Sequence, residues 1–305
     1  MPLFFIVAGL YANTIQSKED WVPMARKDVK RLIIPVVVTM LLVILLSPLN
    51  YLTDKSFHHV INNVLSLFWS GDALDTRWGT LNSPMWFLVS MFWVRGLFRC
   101  LEYLCWKSSK RHDEVVLLIS IGLSCLAVQL HRLFPFPTPW GILKGITALS
   151  FYSIGWYLKR NGLHLSLACL LVVFWLVALK YGGIDMYKYR YSCYPLDVLG
   201  AVGATGLVYL LSKGVCKILP KTGLLLQWFG VNSLLVFCVH CLDRRTILAK
   251  GVKYVLETIL NVNISGSLSV VLHYSIEIAL VVIITFIPFL KRIYGARRLV
   301  EIKNK

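Results

Sequence analysis

Charge is scarce in this chain, negative charge above all: 15 Asp and Glu face 32 Lys and Arg, and the four types together make up 15% of 305 residues. A soluble globular domain carries about 25%, so the polar surface that such a domain presents to water is missing. A Gly-rich phosphate loop, an HExxH pair and a GxSxG elbow are absent as well, which removes the usual signatures of soluble NTPases, zinc peptidases and serine hydrolases. No repeat of fixed period and no low-complexity linker interrupts the sequence. Disordered, collagenous and disulfide-dense secreted classes are excluded on the same composition.

Apolar residues take the place of charge, at 57% of the chain, with a mean hydropathy of +0.67. The formal net charge of +17 would suit nucleic acid only as a basic face on a soluble fold. Here the basic residues lie in short clusters between long apolar runs. No nucleic-acid partner is expected, and the lipid bilayer is.

A membrane-crossing helix needs roughly 17–25 mostly apolar residues. Eight stretches meet or approach that length: Ile33–Leu52, Pro84–Trp106, Val115–Leu130, Gly141–Leu158, Leu165–Tyr181, Pro195–Leu211, Leu224–His240 and Leu268–Leu290. Met1–Ala12 is apolar but half as long, and lacks the basic start and cleavage site of a signal peptide. Cytoplasmic connections are rich in Lys and Arg. Asn13–Leu32, Lys107–Glu114, Lys159–His164, Ser212–Gly223 and Lys291–Lys305 hold nineteen, against nine in Thr53–Ser83, His131–Trp140, Gly182–Tyr194 and Cys241–Ser267. The expectation is a single all-α domain over residues 1–305: a polytopic bundle of about eight full spans plus an N-terminal half-span, its C-terminus cytoplasmic. Val64–Trp69 and Val252–Leu260, in the two longest outer connections, read as interfacial helices. Trp69, Trp78, Trp86, Trp93, Trp140 and Trp156 cluster toward span ends as interface anchors.

Ionisable groups inside spans are costly and mark pathways or sites. Arg95, Arg99 and Glu102 are spaced i, i+4, i+7 on one helix face. Arg95 lies about 16 Å from the outer end, so the stripe occupies the cytoplasmic half. Paired guanidinium groups there suit an anionic ligand such as a coenzyme A phosphate; the alternative is that Arg99 snorkels and Glu102 pairs with it. Ser233 and His240, seven residues apart with Asn232 alongside, share a face near an external end. His273 and Glu277 form an i, i+4 pair, Glu277 about 14 Å deep, suited to acid–base chemistry or to a structural pairing between helices. Cys238 and Cys241 have C-x-x-C spacing, but one pair without a second is a weak metal signal. Most of the cysteines fall inside spans and read as small buried hydrophobes, and no metal is expected.

Four strings together resemble the acyltransferase-3 family of integral-membrane O-acyltransferases. Met1-Pro2-Leu3-Phe4-Phe5-Ile6-Val7-Ala8-Gly9 resembles the family's second helix, with Ala8 in place of the common serine. Arg26-Lys27-Asp28-Val29-Lys30-Arg31-Leu32-Ile33-Ile34-Pro35 resembles its first cytoplasmic loop. Met85-Trp86-Phe87-Leu88 resembles the L-W-F-L opening of a later helix, and Gly230-Val231-Asn232-Ser233-Leu234 followed by His240 resembles a G-x-N/H-S-L…H pattern. The resemblance implies transfer of an acyl group from acetyl-CoA, or another acyl-CoA, to a hydroxyl of a cell-surface glycan or lipid-linked sugar in a bacterial inner membrane. No permanently bound cofactor is implied. Lys30 and Arg31 by resemblance, and Arg95 and Arg99 by position, would hold the donor's phosphates. Trp86, Ser233 and His240 are acceptor-side candidates, and His240, His273 and Glu277 weak catalytic ones. The family's first helix, with its general-base histidine, would precede Met1, so the expectation is an N-terminally truncated chain whose activity depends on that helix. A transporter or flippase using His273, Glu277 and Arg95 is the alternative, without the paired broken helices and repeats common in transporters. A non-catalytic partner in polysaccharide export is the other.

Overall fold

The computed structural model describes residues 1–14, 17–46, 85–106, 111–134, 138–162, 165–245, 257–258 and 266–303. The expected interfacial helix Val64–Trp69 and the tryptophans Trp69 and Trp78 lie outside the described residues, as does nearly all of Val252–Leu260. Among the described residues the protein is helical throughout, save one short hairpin.

The first compact unit gathers Met1–Asp28 and Trp86–Gly214. It holds α1 (Pro2–Leu10), α2 (Trp21–Asp28), α4 (Trp86–Trp106), α5 (His112–Leu133), α6 (Ile142–Asn161), α7 (Leu165–Tyr181) and most of α8 (Tyr194–Ile218). Helix α6 is its hub, packed against α1, α4 and α5. Glycine decides how closely α1 and α6 approach. A Cβ on Gly9 would stand 2.0 Å from the Tyr152 carbonyl oxygen, and one on Gly155 2.0 Å from that of Ile6. Small residues let membrane helices meet backbone to backbone in this way. On the next face Phe98 packs edge-on against Tyr152 and Trp156 at 5.1 and 5.2 Å. Serines tie α5 to α6: Ser124 Oγ donates to the Ile146 carbonyl at 2.8 Å and accepts from the Ser150 amide at 2.9 Å. In contrast, Leu167, Leu170, Val173, Leu176 and Val177 of α7 are exposed, the outward apolar face of a helix solvated by lipid.

The hairpin joins β1 (Ile184–Asp185) and β2 (Arg190–Tyr191), antiparallel, with Ile184 opposite Tyr191. Tyr189 in its turn takes φ 54°, a left-handed conformation that costs a bulky residue about 1–3 kcal/mol.

The second unit takes the described part of Val29–Trp69 together with Val215–Lys305. It contains α3 (Ile34–Leu46), α9 (Pro220–Val231), α10 (Ser233–Arg245), α11 (Gly266–Phe286), α12 (Pro288–Tyr294) and α13 (Leu299–Lys303). A π-helical turn, Val29–Ile33, leads into α3. Pro35 explains it. Proline has no N–H to bond to the Arg31 carbonyl, and its ring crowds that oxygen, so the ladder widens over the preceding turn.

Three described helices, α5, α8 and α11, are long and apolar enough to cross a bilayer, and the pair α9–α10 makes a fourth if counted as one span. The pair is bent by 66°, within the stretch Leu224–His240 that the sequence read as one span. Asn232 ends α9 at φ −95°, ψ 12°, and its amide competes with the helix ladder for backbone partners. Likewise Leu268–Leu290 divides before Pro288. Helices α3 and α7 are shorter. Helix α4 carries Arg95, Arg99 and Glu102, and α6 buries Lys144 together with a row of serines and threonines.

Candidate functional site

The expected basic stripe on α4 is formed, and it has a partner that periodicity did not reveal. Asp28, the last residue of α2, is buried and divides its carboxylate between two guanidinium groups. Oδ1 meets Arg95 Nη1 at 2.9 Å and Oδ2 meets Arg99 Nη1 at 2.6 Å. Glu102 is buried one turn further along α4, so two cations and two carboxylates share this part of the unit. Arg99 is enclosed, whereas the Arg95 side chain keeps 27% exposure. Its Nε is buried without a hydrogen-bond partner among the described residues. Of the two guanidinium groups, Arg95 is the one that solvent reaches.

Trp86, an acceptor-side candidate, begins α4 as a buried wall around Lys144. The ammonium of Lys144, fully buried on α6, lies 5.2 Å from the Trp86 ring centroid, 4.3 Å from Tyr187 and 5.5 Å from Tyr189. Three rings within about 6 Å make a cation–π cage, two of them delivered by the hairpin turn. Sequence reasoning passed over Lys144, although a lone lysine inside Gly141–Leu158 was signal enough.

In the second unit, Lys30 and Arg31 sit exposed on the π-helical turn, a geometry enriched at functional sites. Ser233 is exposed at the first position of α10. Two turns later on α10, His240 Nδ1 meets Glu277 Oε1 of α11 at 2.6 Å. Glu277 is 8% exposed and His240 36%. The sequence set Glu277 beside His273 on one helix; the structure adds a partner on another, and His273 is half-buried on α11. Below, Thr39 and Tyr294 share a buried hydroxyl hydrogen bond of 3.0 Å, and burial pushes the Tyr294 phenol up to about 12.

Asn232, read only as a neighbour of Ser233, clamps the chain after α12. Its Oδ1 accepts from the Arg297 amide at 2.8 Å while Nδ2 donates to the carbonyls of Arg297 at 2.9 Å and Trp228 at 3.0 Å. Trp228 Nε1 adds a bond to the same Arg297 carbonyl at 3.0 Å.

A family model, described as an acyltransferase domain, matches residues 1–290. The chain belongs to the acyltransferase 3 family. No curated protein and no solved structure matches it. As an acyltransferase 3 protein it is a multi-pass membrane enzyme that transfers acyl groups, which sets aside the transporter and non-catalytic readings. The strings behind the resemblance fall on structurally distinct places in the acyltransferase 3 chain. They form α1, the α2–π–α3 passage, the opening of α4 and the bend between α9 and α10. Among the described residues no group of three or more His, Cys, Asp and Glu is placed to hold a metal.

Proposed function

We propose that this acyltransferase moves an acetyl group, or another acyl group, from acyl-CoA supplied at the cytoplasmic face to a hydroxyl of a cell-surface glycan or lipid-linked sugar. The membrane is a bacterial inner membrane, crossed by about eight spans with the C-terminus inside. The observation that carries the chemistry is the 2.6 Å contact of His240 with Glu277. An ionised carboxylate only accepts, so Nδ1 donates to Glu277 and the lone pair of the ring is left on Nε2. That is the form a general base needs, with the carboxylate fixing the tautomer and balancing the imidazolium that follows. The acceptor hydroxyl gives its proton to Nε2 as its oxygen attacks the thioester carbonyl. Collapse of the tetrahedral intermediate breaks the C–S bond, and the proton passes to the departing coenzyme A sulfur.

Arg95 and Arg99 hold the donor's phosphates in this reading, and Trp86 of the same unit belongs to the acceptor side. The test follows acetyl transfer from radiolabelled acetyl-CoA to the cell-envelope glycan fraction in membranes carrying the protein. His240→Ala lowers kcat by about 10²–10⁴-fold, the usual contribution of a positioned base, and leaves KM for acetyl-CoA unchanged. Arg95→Leu raises that KM instead. An undiminished kcat in His240→Ala assigns the proton transfer to another residue. An unaltered KM in Arg95→Leu removes that residue from the donor site.

A further inference from the structure

We infer that the first unit holds a binding site for one anionic phospholipid of the cytoplasmic leaflet, separate from the groups assigned to acyl transfer. A cavity of about 680 Å³ opens among α1, α6, α7 and α8, walled by Ile6, Leu158, Leu171, Val202 and Leu207. That volume lies within the roughly 300–1,000 Å³ of sites that enclose small ligands. Its polar groups belong to two tyrosines and one lysine near the ends of the helices, apart from the Thr205 hydroxyl. Lys159 Nζ lies 5.5 Å from the ring centroid of Tyr11, and both residues line the cavity. Tyr209, also on the wall, carries Lys213 Nζ 4.7 Å over its ring. Each cation is exposed and rests on an aromatic face instead of a carboxylate.

The placement of these groups selects the occupant. Lys159 and Lys213 belong to two of the basic, cytoplasmic connections, Lys159–His164 and Ser212–Gly223. Along α8, Val202 lies about 16 Å from Lys213, about half of the roughly 30 Å hydrocarbon core. The cavity thus runs from the inner interface toward the midplane, apolar within and cationic at its mouth. An acyl chain with a phosphate at the level of Lys159 and Lys213 matches both halves. A soluble phosphate would leave the apolar depth empty, and a neutral lipid would leave the lysines unanswered.

Native mass spectrometry of the detergent-purified protein, offered equimolar phosphatidylglycerol and phosphatidylcholine of one chain length, tests this. One phosphatidylglycerol is retained, with a preference of about tenfold or more, as two interfacial lysines provide. A Cβ at Gly206, a lining residue, meets nothing within 4 Å, so Gly206→Phe fills the cavity from open space and abolishes retention. The surface pair Lys159→Gln with Lys213→Gln, which leaves the packed interior untouched, brings phosphatidylglycerol down to the level of phosphatidylcholine. Equal retention of the two lipids by the unaltered protein overturns the proposal. So does full retention in Gly206→Phe, or displacement of the lipid by inorganic phosphate alone.

Discussion

Asp28 shows how a single carboxylate makes a pair of membrane arginines tolerable. The helical spacing of Arg95 and Arg99 was legible because i and i+4 share a face whatever the tertiary structure. Their partner was not, since it lies 67 positions away from Arg95 on another helix, and no local pattern encodes that meeting. The same holds for Glu277, read beside His273 at four residues but joined to His240 at a separation of 37. Removing one member of a buried ion pair leaves uncompensated charge and costs about 3–5 kcal/mol. Asp28→Asn keeps the shape and removes the charge from between two guanidinium groups. Thermal unfolding in detergent then shows a loss of that order. A change below about 1 kcal/mol, the range of an exposed pair, would mean that solvent already screens the cluster.

At the scale of elements, apolar runs located the helices well. The reading Val115–Leu130 is α5 (His112–Leu133), and Pro195–Leu211 lies inside α8 (Tyr194–Ile218). Long apolar runs leave lipid-embedded backbone few alternatives to helix, even where glycine interrupts them as at Gly122 and Gly203. The interruptions were harder to see. The π-helical turn before Pro35 and the 66° bend at Asn232 depend on which backbone groups go unpaired and what answers them. At the bend the answer is the main chain of Arg297, held at both its N–H and its C=O. Asn232→Ala withdraws both contacts and strands a part-buried amide, a penalty of about 1–3 kcal/mol. The segment after α12 then opens more often, and trypsin cleaves at Arg297 and Arg298 faster than in the unaltered protein. Equal cleavage rates would assign the hold on this segment to the Trp228 indole instead.

Over the whole molecule, sequence and structure divide the work differently. The charge asymmetry of nineteen against nine basic residues speaks of sides, which a fold without a bilayer does not. The helices in turn show where single spans are continuous. Helix α8 joins the two lines of argument: its 25 residues extend about 38 Å, more than the roughly 30 Å of hydrocarbon. An exposed cysteine stands at either end, Cys193 just before it and Cys216 in its last turn. The basic-loop argument sets Cys193 in an outer connection and Cys216 in a cytoplasmic one. Single-cysteine variants treated with a membrane-impermeant maleimide give the readout. Cys193 reacts in intact cells, and Cys216 reacts only after permeabilisation. The reverse pattern would invert the chain and put the Arg95–Arg99 cluster on the face away from cytoplasmic acyl-CoA. Labelling of both in intact cells would mean that α8 lies along the membrane. The span count and the lipid site at its cytoplasmic end would then fall together, because both require this helix to cross.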